Sequence, residues 1–234
     1  MDHLSNIELY FTDTDQISGD NLLLSGDEFQ HAVKVMRRKS DELIYTTDGQ
    51  GNFFTSRVVE IKKDGLQASI IERKIFKNYF DNIFFVIPKL KSHDRFEFAL
   101  EKCVECGITN LIIFNAERSI SKINKINRWK KICLSAMKQS IRFFLPKIKL
   151  IDSVKEIADI NETKFVFEQR TDKKFKRFTI NENKKYYFIF GPEGGLTENE
   201  LNFFEVENLY NLSDHRLRTE TAIVKCAGIV SDLL

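Results

Sequence analysis

The chain has 234 residues, 42% of them apolar and 30% charged, enough for one large or two small domains with real cores. Thirty-six basic against 34 acidic side chains give a formal charge of +2, so bulk electrostatics name no partner. Scarce Pro (3) and Gly (10) exclude collagen-like and broadly disordered chains, and the four Cys make no disulfide framework. No apolar run approaches the roughly 20 residues of a membrane helix, and Met1-Asp2-His3-Leu4-Ser5-Asn6 predicts no signal peptide. The expectation is a soluble protein of the reduced cytoplasm.

Residues 1–76 read as strands and hairpins. Asp48-Gly49 and Asp64-Gly65 are turn signals separating Glu42–Thr47, Phe53–Ile61 and Leu66–Arg73, which are rich in β-branched and aromatic residues. A short helix with Phe29, Val33 and Met36 on one face is predicted to start at a capping box, Ser25 with Glu28. After residue 77 strands and helices alternate, the pattern of an open, mostly parallel α/β sheet. Ile83–Ile87, Leu111–Phe114, Lys147–Ile151, Lys164–Phe167, Tyr186–Phe190 and Asn208–Leu212 are the predicted strands. Helices are predicted around Phe96–Val104, around Trp129–Ala136, after Ser153 and Glu156, after Thr197 and Glu200, and over Thr219–Leu234.

Charge is segregated along the chain. Arg118 to Ile151 contains no acid but ten Lys or Arg, among them Arg128, Lys131, Lys138 and Arg142; Tyr186 to His215 contains six acids and no Lys or Arg. A second basic cluster holds Lys34, Arg37, Arg38 and Lys39. Such segregation suits either a polyanion-binding face or a solvated helix face.

Three loops at the carboxyl ends of predicted strands carry chemistry-bearing residues, the edge where open α/β sheets bind ligands. Gly191-Pro192-Glu193-Gly194-Gly195-Leu196-Thr197 joins a strand to a capped helix; it has neither P-loop nor GxGxxG spacing, and reads as a ligand loop or a tight turn. Arg216-Leu217-Arg218-Thr219-Glu220 enters the last helix, with Thr219 as its predicted N-cap or the arginines as anion binders. Glu117-Arg118-Ser119 is the third. Cys103 and Cys106, with Cys133, Cys226 and the scattered His3, His31, His93 and His215, offer no convincing metal-ligand spacing, so no metal is expected.

Taken in order, Ser25–Glu42 with its His31-Ala32-Val33-Lys34-Val35-Met36-Arg37 run, Pro88-Lys89, Glu105-Cys106-Gly107, Glu117-Arg118-Ser119, Gln139-Ser140, the GPEGG loop and Leu217-Arg218-Thr219-Glu220-Thr221-Ala222 resemble the RsmE family. That family comprises SPOUT-superfamily 16S rRNA methyltransferases, which use S-adenosylmethionine to modify N3 of a uridine. The resemblance implies an α/β fold: an N-terminal PUA-like β-barrel module (1–76), which binds RNA, and a SPOUT methyltransferase domain (77–234) with a C-terminal trefoil knot. It further implies a homodimer, no membrane, and the small ribosomal subunit as partner. Cofactor binding then falls to Gly191, Pro192, Glu193, Gly194, Gly195, Leu212, Leu217, Arg218 and Thr219. Arg218, Arg118 and Glu220 become the catalytic candidates. RNA-binding candidates are His31, Lys34, Arg37, Arg38, Arg128, Lys131, Lys138 and Arg142. Ser213 and Ile141 depart from the family, many members having Gly there. A SPOUT enzyme acting on another target, such as a ribose 2′-O, and a non-enzymatic RNA-binding protein are the alternatives.

Overall fold

The computed structural model describes residues 7–119 and 125–233, which fold as two compact units. Lys122 of the basic stretch, His3 and the terminal Leu234 lie outside the described residues. The first unit is the chain up to Asn78 together with Met137–Leu145; the second is Tyr79–Ala136 with Pro146–Leu234.

The first unit is a six-stranded sheet of β1 (Leu9–Phe11), β2 (Ile17–Ser18), β3 (Asn21–Ser25), β4 (Leu43–Thr47), β5 (Asn52–Ile61) and β6 (Gly65–Ile75), in the order β1-β4-β5-β6-β3-β2. Only β1 and β4 pair in parallel. The Asp48-Gly49 turn forms as the sequence predicts: the Asp48 carboxylate accepts from the Gln50 N–H at 2.8 Å and the Asn52 side-chain amide at 2.6 Å. Strand alternation sends Tyr10, Leu24, Ile44 and Phe54 into a core that Phe29 and Ala32 close, while their neighbours Leu9 and Phe53 go to the opposite face with Phe143.

Phe29 belongs to α1 (Gly26–Gln30), which runs into a single π-helical turn, His31–Val35. The predicted capping box does not form, because both side chains find donors from elsewhere in this unit. Ser25 Oγ accepts from the Gln16 amide at 2.6 Å, and Glu28 takes the Phe11 N–H at 3.1 Å and the Lys138 ammonium.

Lys138 sits on the segment that returns to this unit from the end of the long basic helix. The return is made by a Schellman turn, with Arg142 N–H bonded to the Met137 carbonyl and Ile141 N–H to that of Lys138. Ile141 is therefore the left-handed residue, at φ +52°, where glycine would be at ease. Two residues on, the Phe143 ring lies 5.2 Å from that of Phe53 and 4.3 Å from that of Phe76. Its carbonyl accepts from the Gly51 N–H at 2.8 Å.

The second unit is an all-parallel sheet of β7 (Ile83–Pro88), β8 (Asn110–Phe114), β9 (Lys147–Ile151), β10 (Thr163–Phe167), β11 (Tyr186–Ile189) and β12 (Leu209–Tyr210), ordered β12-β10-β11-β7-β8-β9. The inner strands β8 and β11 are buried along their whole length, which is why Leu111–Phe114 and Tyr186–Ile189 read as unbroken apolar runs. The helices are α2 (His93–Glu105), α3 (Ile126–Gln139, its last three residues in the first unit), α4 (Lys155–Ala158), α5 (Glu198–Leu201) and α6 (Thr219–Ser231). Gly107, at φ +94°, turns the chain out of α2. Phe96 of α2 packs against Trp129 of α3 at 4.9 Å, and α6 lies on α2.

β12 is shorter than the predicted Asn208–Leu212. Its continuation is diverted: Asn211 bonds through its backbone to Lys173 and Phe175 and through its side chain to the Gln169 carbonyl. Cys103, Cys133 and Cys226 are buried thiols, Cys106 half-buried. Burial pushes the Cys133 thiol up to about 12 and raises those of Cys103 and Cys226 as well. Among the described residues no helix is long and apolar enough to cross a membrane, and no His, Cys, Asp or Glu cluster could hold a metal ion.

Candidate functional site

In the second unit a cavity of about 700 Å³ opens beyond the carboxyl ends of β10, β11 and β12, within the range of small-molecule sites. Its walls are three loops: Phe167–Arg170 after β10, Phe190–Leu196 after β11, and Asn211–Thr219 leading into α6. Arg95 from the first turn of α2 and Arg118 from the loop after β8 complete it.

The glycine loop is built for close approach. A Cβ on Gly191 would lie 2.9 Å from the backbone nitrogen of Leu196, so no side chain fits there. Gly195 stands at φ +71° and donates its N–H to the Pro192 carbonyl at 2.8 Å. The loop then feeds the capping box the sequence predicts: Thr197 Oγ1 accepts from the Glu200 N–H and Glu200 Oε2 from the Thr197 N–H, at 3.2 and 2.9 Å. Glu200 reaches further, accepting the Glu117 N–H at 3.0 Å, while Thr197 donates to Glu117 at 2.7 Å. The loops after β8 and β11 are thus tied together.

Arg118 makes the same tie from above. Its Nη1 donates to the carbonyls of Gly194 and Leu196 at 2.7 and 3.3 Å, and its stem lies 3.3 Å from where a Gly194 Cβ would be. One nitrogen of its guanidinium is therefore committed to the loop. Thr219 is not the N-cap of α6; Arg218 holds that position, and the Thr219 hydroxyl donates to the Gly191 carbonyl at 3.0 Å. That bond joins the glycine loop to the α6 entry. Ser213 keeps ordinary backbone angles, its N–H bonded to Asn211 Oδ1 at 2.8 Å, so the glycine of other members is not needed for conformation here.

Gly191, Pro192, Glu193, Gly194, Gly195, Leu212, Leu217, Arg218 and Thr219 all line the cavity, as does Arg118. Glu220 does not: it is buried behind the α6 entry, one oxygen 3.6 Å from Arg95 Nε. The RNA-binding candidates are split between the units. In the first, Lys34 and Arg37 are exposed, His31 meets Glu8 at 2.9 Å, and Arg38 reaches the Tyr10 hydroxyl at 3.4 Å; Lys138 is paired with Glu28 and Arg142 is half-buried. In the second, Lys131 is exposed and Arg128 grips Glu97 in a fork at 2.5 and 2.7 Å.

Sequence reading missed Arg95, Glu168, Arg170 and His215 in the cavity wall, while Arg216, read with Arg218 as an anion binder, lies in it. Arg95 and Arg170 follow β7 and β10 at the same sheet edge, so the carboxyl-end rule, applied to every strand, points to both. Arg170 is held by Glu168 at 3.0 Å and Glu198 at 2.8 Å, and these bonds raise its already high pKa.

The comparisons with known proteins agree with this architecture. A family model described as RNA methyltransferase domain matches residues 80–231, and one described as RNA methyltransferase PUA domain matches 24–71. The chain is similar to Ribosomal RNA small subunit methyltransferase E of Bacillus subtilis (25% identical, covering 89% of this chain and 88% of the relative). It is similar to the protein of that name from Buchnera aphidicola (28% identical, 90% and 87%). Among solved structures, a Ribosomal RNA small subunit methyltransferase E from Neisseria gonorrhoeae bound to S-adenosyl methionine superposes with a TM-score of 0.84 at 28% identity, over 97% of this chain and 98% of that one. The α/β fold with an N-terminal PUA-like domain is borne out. Since the first of these models spans well over half of its residues, the chain belongs to the RNA methyltransferase family, with that family's PUA domain preceding the methyltransferase domain.

Proposed function

We propose that this protein transfers a methyl group from S-adenosylmethionine to N3 of a uridine in the 16S rRNA of the small ribosomal subunit. The observation that carries the reading is the glycine-loop cavity at the carboxyl ends of β10–β12, on a chain that is similar nearly end to end to a ribosomal RNA methyltransferase bound to S-adenosyl methionine.

The residues present fit such a donor. Gly191 leaves room that a Cβ would fill, and the loops of Gly191–Gly195 and Leu212–Thr219 offer backbone groups on two sides of a cavity of nucleoside size. When bound, S-adenosylmethionine supplies an electrophilic methyl carbon, which bonds to N3 while its bond to sulfur breaks and the electron pair stays on sulfur. Uridine N3 carries a proton and becomes nucleophilic only as that proton leaves to solvent. The site's task is therefore alignment and cationic stabilisation of the uridine anion. Arg218, exposed at the α6 entry, is assigned to the nucleotide; Arg118 is assigned to the nucleotide through whatever donors its loop bonds leave, and to the loop itself. Glu220 lies behind the wall, which argues against direct proton abstraction by it.

Lys34, Arg37, Arg38, Lys131, Lys138 and Arg142, with His31 and Arg128, are assigned to RNA, the exposed cations to its phosphates. The C-terminal trefoil knot is part of the proposal and is supported by the path after β12: Asn211 pairs with the β10–β11 connection at Lys174, and Thr219 bonds back to the β11 loop. A cytoplasmic homodimer is proposed on the family resemblance. The test is transfer of labelled methyl to unmethylated small subunits and to naked 16S rRNA, with the product nucleoside identified by mass spectrometry. N3-methyluridine is expected; a ribose-methylated nucleoside or no transfer overturns the reading.

A further inference from the structure

We infer that Arg95, held in place by Glu220, is a further substrate-binding residue whose guanidinium takes the anionic carbonyl oxygen of the target base. The inference rests on the methyl-transfer reading above.

Glu220 is a charge buried at a cost. It is 7% exposed, it sits in the first turn of α6, and its Oε2 is buried with no hydrogen-bond partner. Its Oε1 faces Arg95 Nε at 3.6 Å. Buried carboxylates are expensive unless paired, and an under-satisfied one in a native chain calls for a physical reason, of which service to an adjacent site is one. Here the carboxylate lies outside the cavity while its cation lines it. That arrangement fixes a guanidinium in the wall from behind.

Three of the five arginines of the wall, Arg95, Arg118 and Arg170, lie away from the α6 entry that carries Arg216 and Arg218, and they differ in what they have left to give. Arg118 spends Nη1 on two loop carbonyls, and Arg170 is held by two carboxylates. Arg95 approaches Glu220 through Nε, and among the described residues no hydrogen bond engages its Nη1 or Nη2. A fork anchored at one end and unspent at the other is a preorganised donor, the device that best stabilises charge developing in a reaction. Loss of the uridine N3 proton puts that charge on the two carbonyl oxygens flanking N3. Pairing with Glu220 also leaves Arg95 locally neutral, which suits a directional hydrogen-bond donor better than a long-range attractor of phosphate.

The experiment uses the full-length chain as wild type, Arg95→Met, Arg95→Lys and Glu220→Gln, the last checked by thermal melting. Three quantities are measured: single-turnover methyl transfer to saturating rRNA against pH, affinity for S-adenosylhomocysteine by calorimetry, and the salt dependence of RNA affinity. Arg95→Met is expected to slow transfer on the order of 10²–10³-fold with unchanged S-adenosylhomocysteine affinity and salt slope. Its rate should keep climbing with pH where the wild type has levelled, because N3 must then ionise without the cation. Arg95→Lys should restore part of the rate, and Glu220→Gln should show a smaller loss with the same shift in the pH profile. If Glu220→Gln fails to fold, the half-exposed Arg95 variants carry the test alone. Wild-type rate and pH profile in Arg95→Met overturn the inference. So does a loss confined to S-adenosylhomocysteine affinity, which would make Arg95 a cofactor residue. A salt slope lower by about one with an unchanged saturated rate would make it a phosphate contact. A wild type that methylates no ribosomal RNA overturns the parent reading and takes this one with it, whereas an active wild type with an indifferent Arg95→Met overturns this one only.

Discussion

Gly191 and Gly195 stand four residues apart in one loop and are glycine for different reasons. Gly191 has no room for a Cβ, whereas Gly195 has open space but a left-handed backbone. Gly191→Ala should therefore displace the loop and weaken S-adenosylhomocysteine binding at least about tenfold by calorimetry, since about 1.4 kcal/mol of lost loop geometry suffices for that. Gly195→Ala should instead cost about 1–2 kcal/mol of stability, seen as a lowered Tm. A second residue-scale consequence concerns acid. The Arg128 fork holds the Glu97 carboxyl below the usual carboxylate range against the opposing effect of burial. The unfolded chain thus takes up this proton first as pH falls. The pair's contribution is present above the ordinary Glu pKa and is lost as pH drops through the depressed folded value. Urea midpoints for wild type and Glu97→Gln should differ at neutral pH and converge in strong acid.

At the scale of elements, most of the second unit was legible because its inner strands β7, β8 and β11 are buried on both faces and its longer helices are amphipathic, so local pattern and tertiary role coincide. The Thr197–Glu200 capping box was readable for the same reason: its partners are each other. Ser25 and Glu28 have the same spacing, but Gln16, Phe11 and Lys138 compete for them, and nothing near position 25 announces that competition. The pairing of Arg95 was illegible too, although the carboxyl-end rule reaches its position, since its partner Glu220 lies 125 positions away. Ile141 shows what a family departure looks like in physical terms. It keeps a left-handed Schellman position and packs against the Leu9–Phe53–Phe143 cluster, which offsets the strain. Ile141→Ala would remove the packing and keep the strain, whereas Ile141→Gly would remove both. Chemical denaturation should rank the glycine variant above the alanine one by about 1 kcal/mol or more, the reverse of their usual order.

At the scale of the molecule, the four cysteines report the integrity of the second unit. With three thiols buried and held protonated, a thiol reagent at neutral pH should label Cys106 first, and the remaining three only as the unit opens. Labelling of Cys103 as fast as Cys106 in the native protein would contradict that burial. The first unit makes a different demand, because Met137–Leu145 is part of it. A fragment ending at Asn78 would lack Phe143 between Phe53 and Phe76, and would lose the bonds from Gly51 and Leu145 that close the Asp48 turn. Removing a buried Phe commonly costs about 3–5 kcal/mol. The fragment should therefore melt well below the corresponding transition of the whole chain, and a linked 137–145 segment should restore it.

The same return of the chain sets a schedule for synthesis. The strands of the first unit leave the ribosome early, but the piece that seals them arrives 67 residues after Asn78, at Leu145. At elongation rates of about 5–20 residues per second, that is a wait of roughly 3 to 13 s. During it, the face of β5 that carries Phe53 is uncovered on the nascent chain. A protein of this design exposes its PUA-like unit to chaperones before it can finish it, and slow codons between positions 78 and 145 would lengthen the exposure.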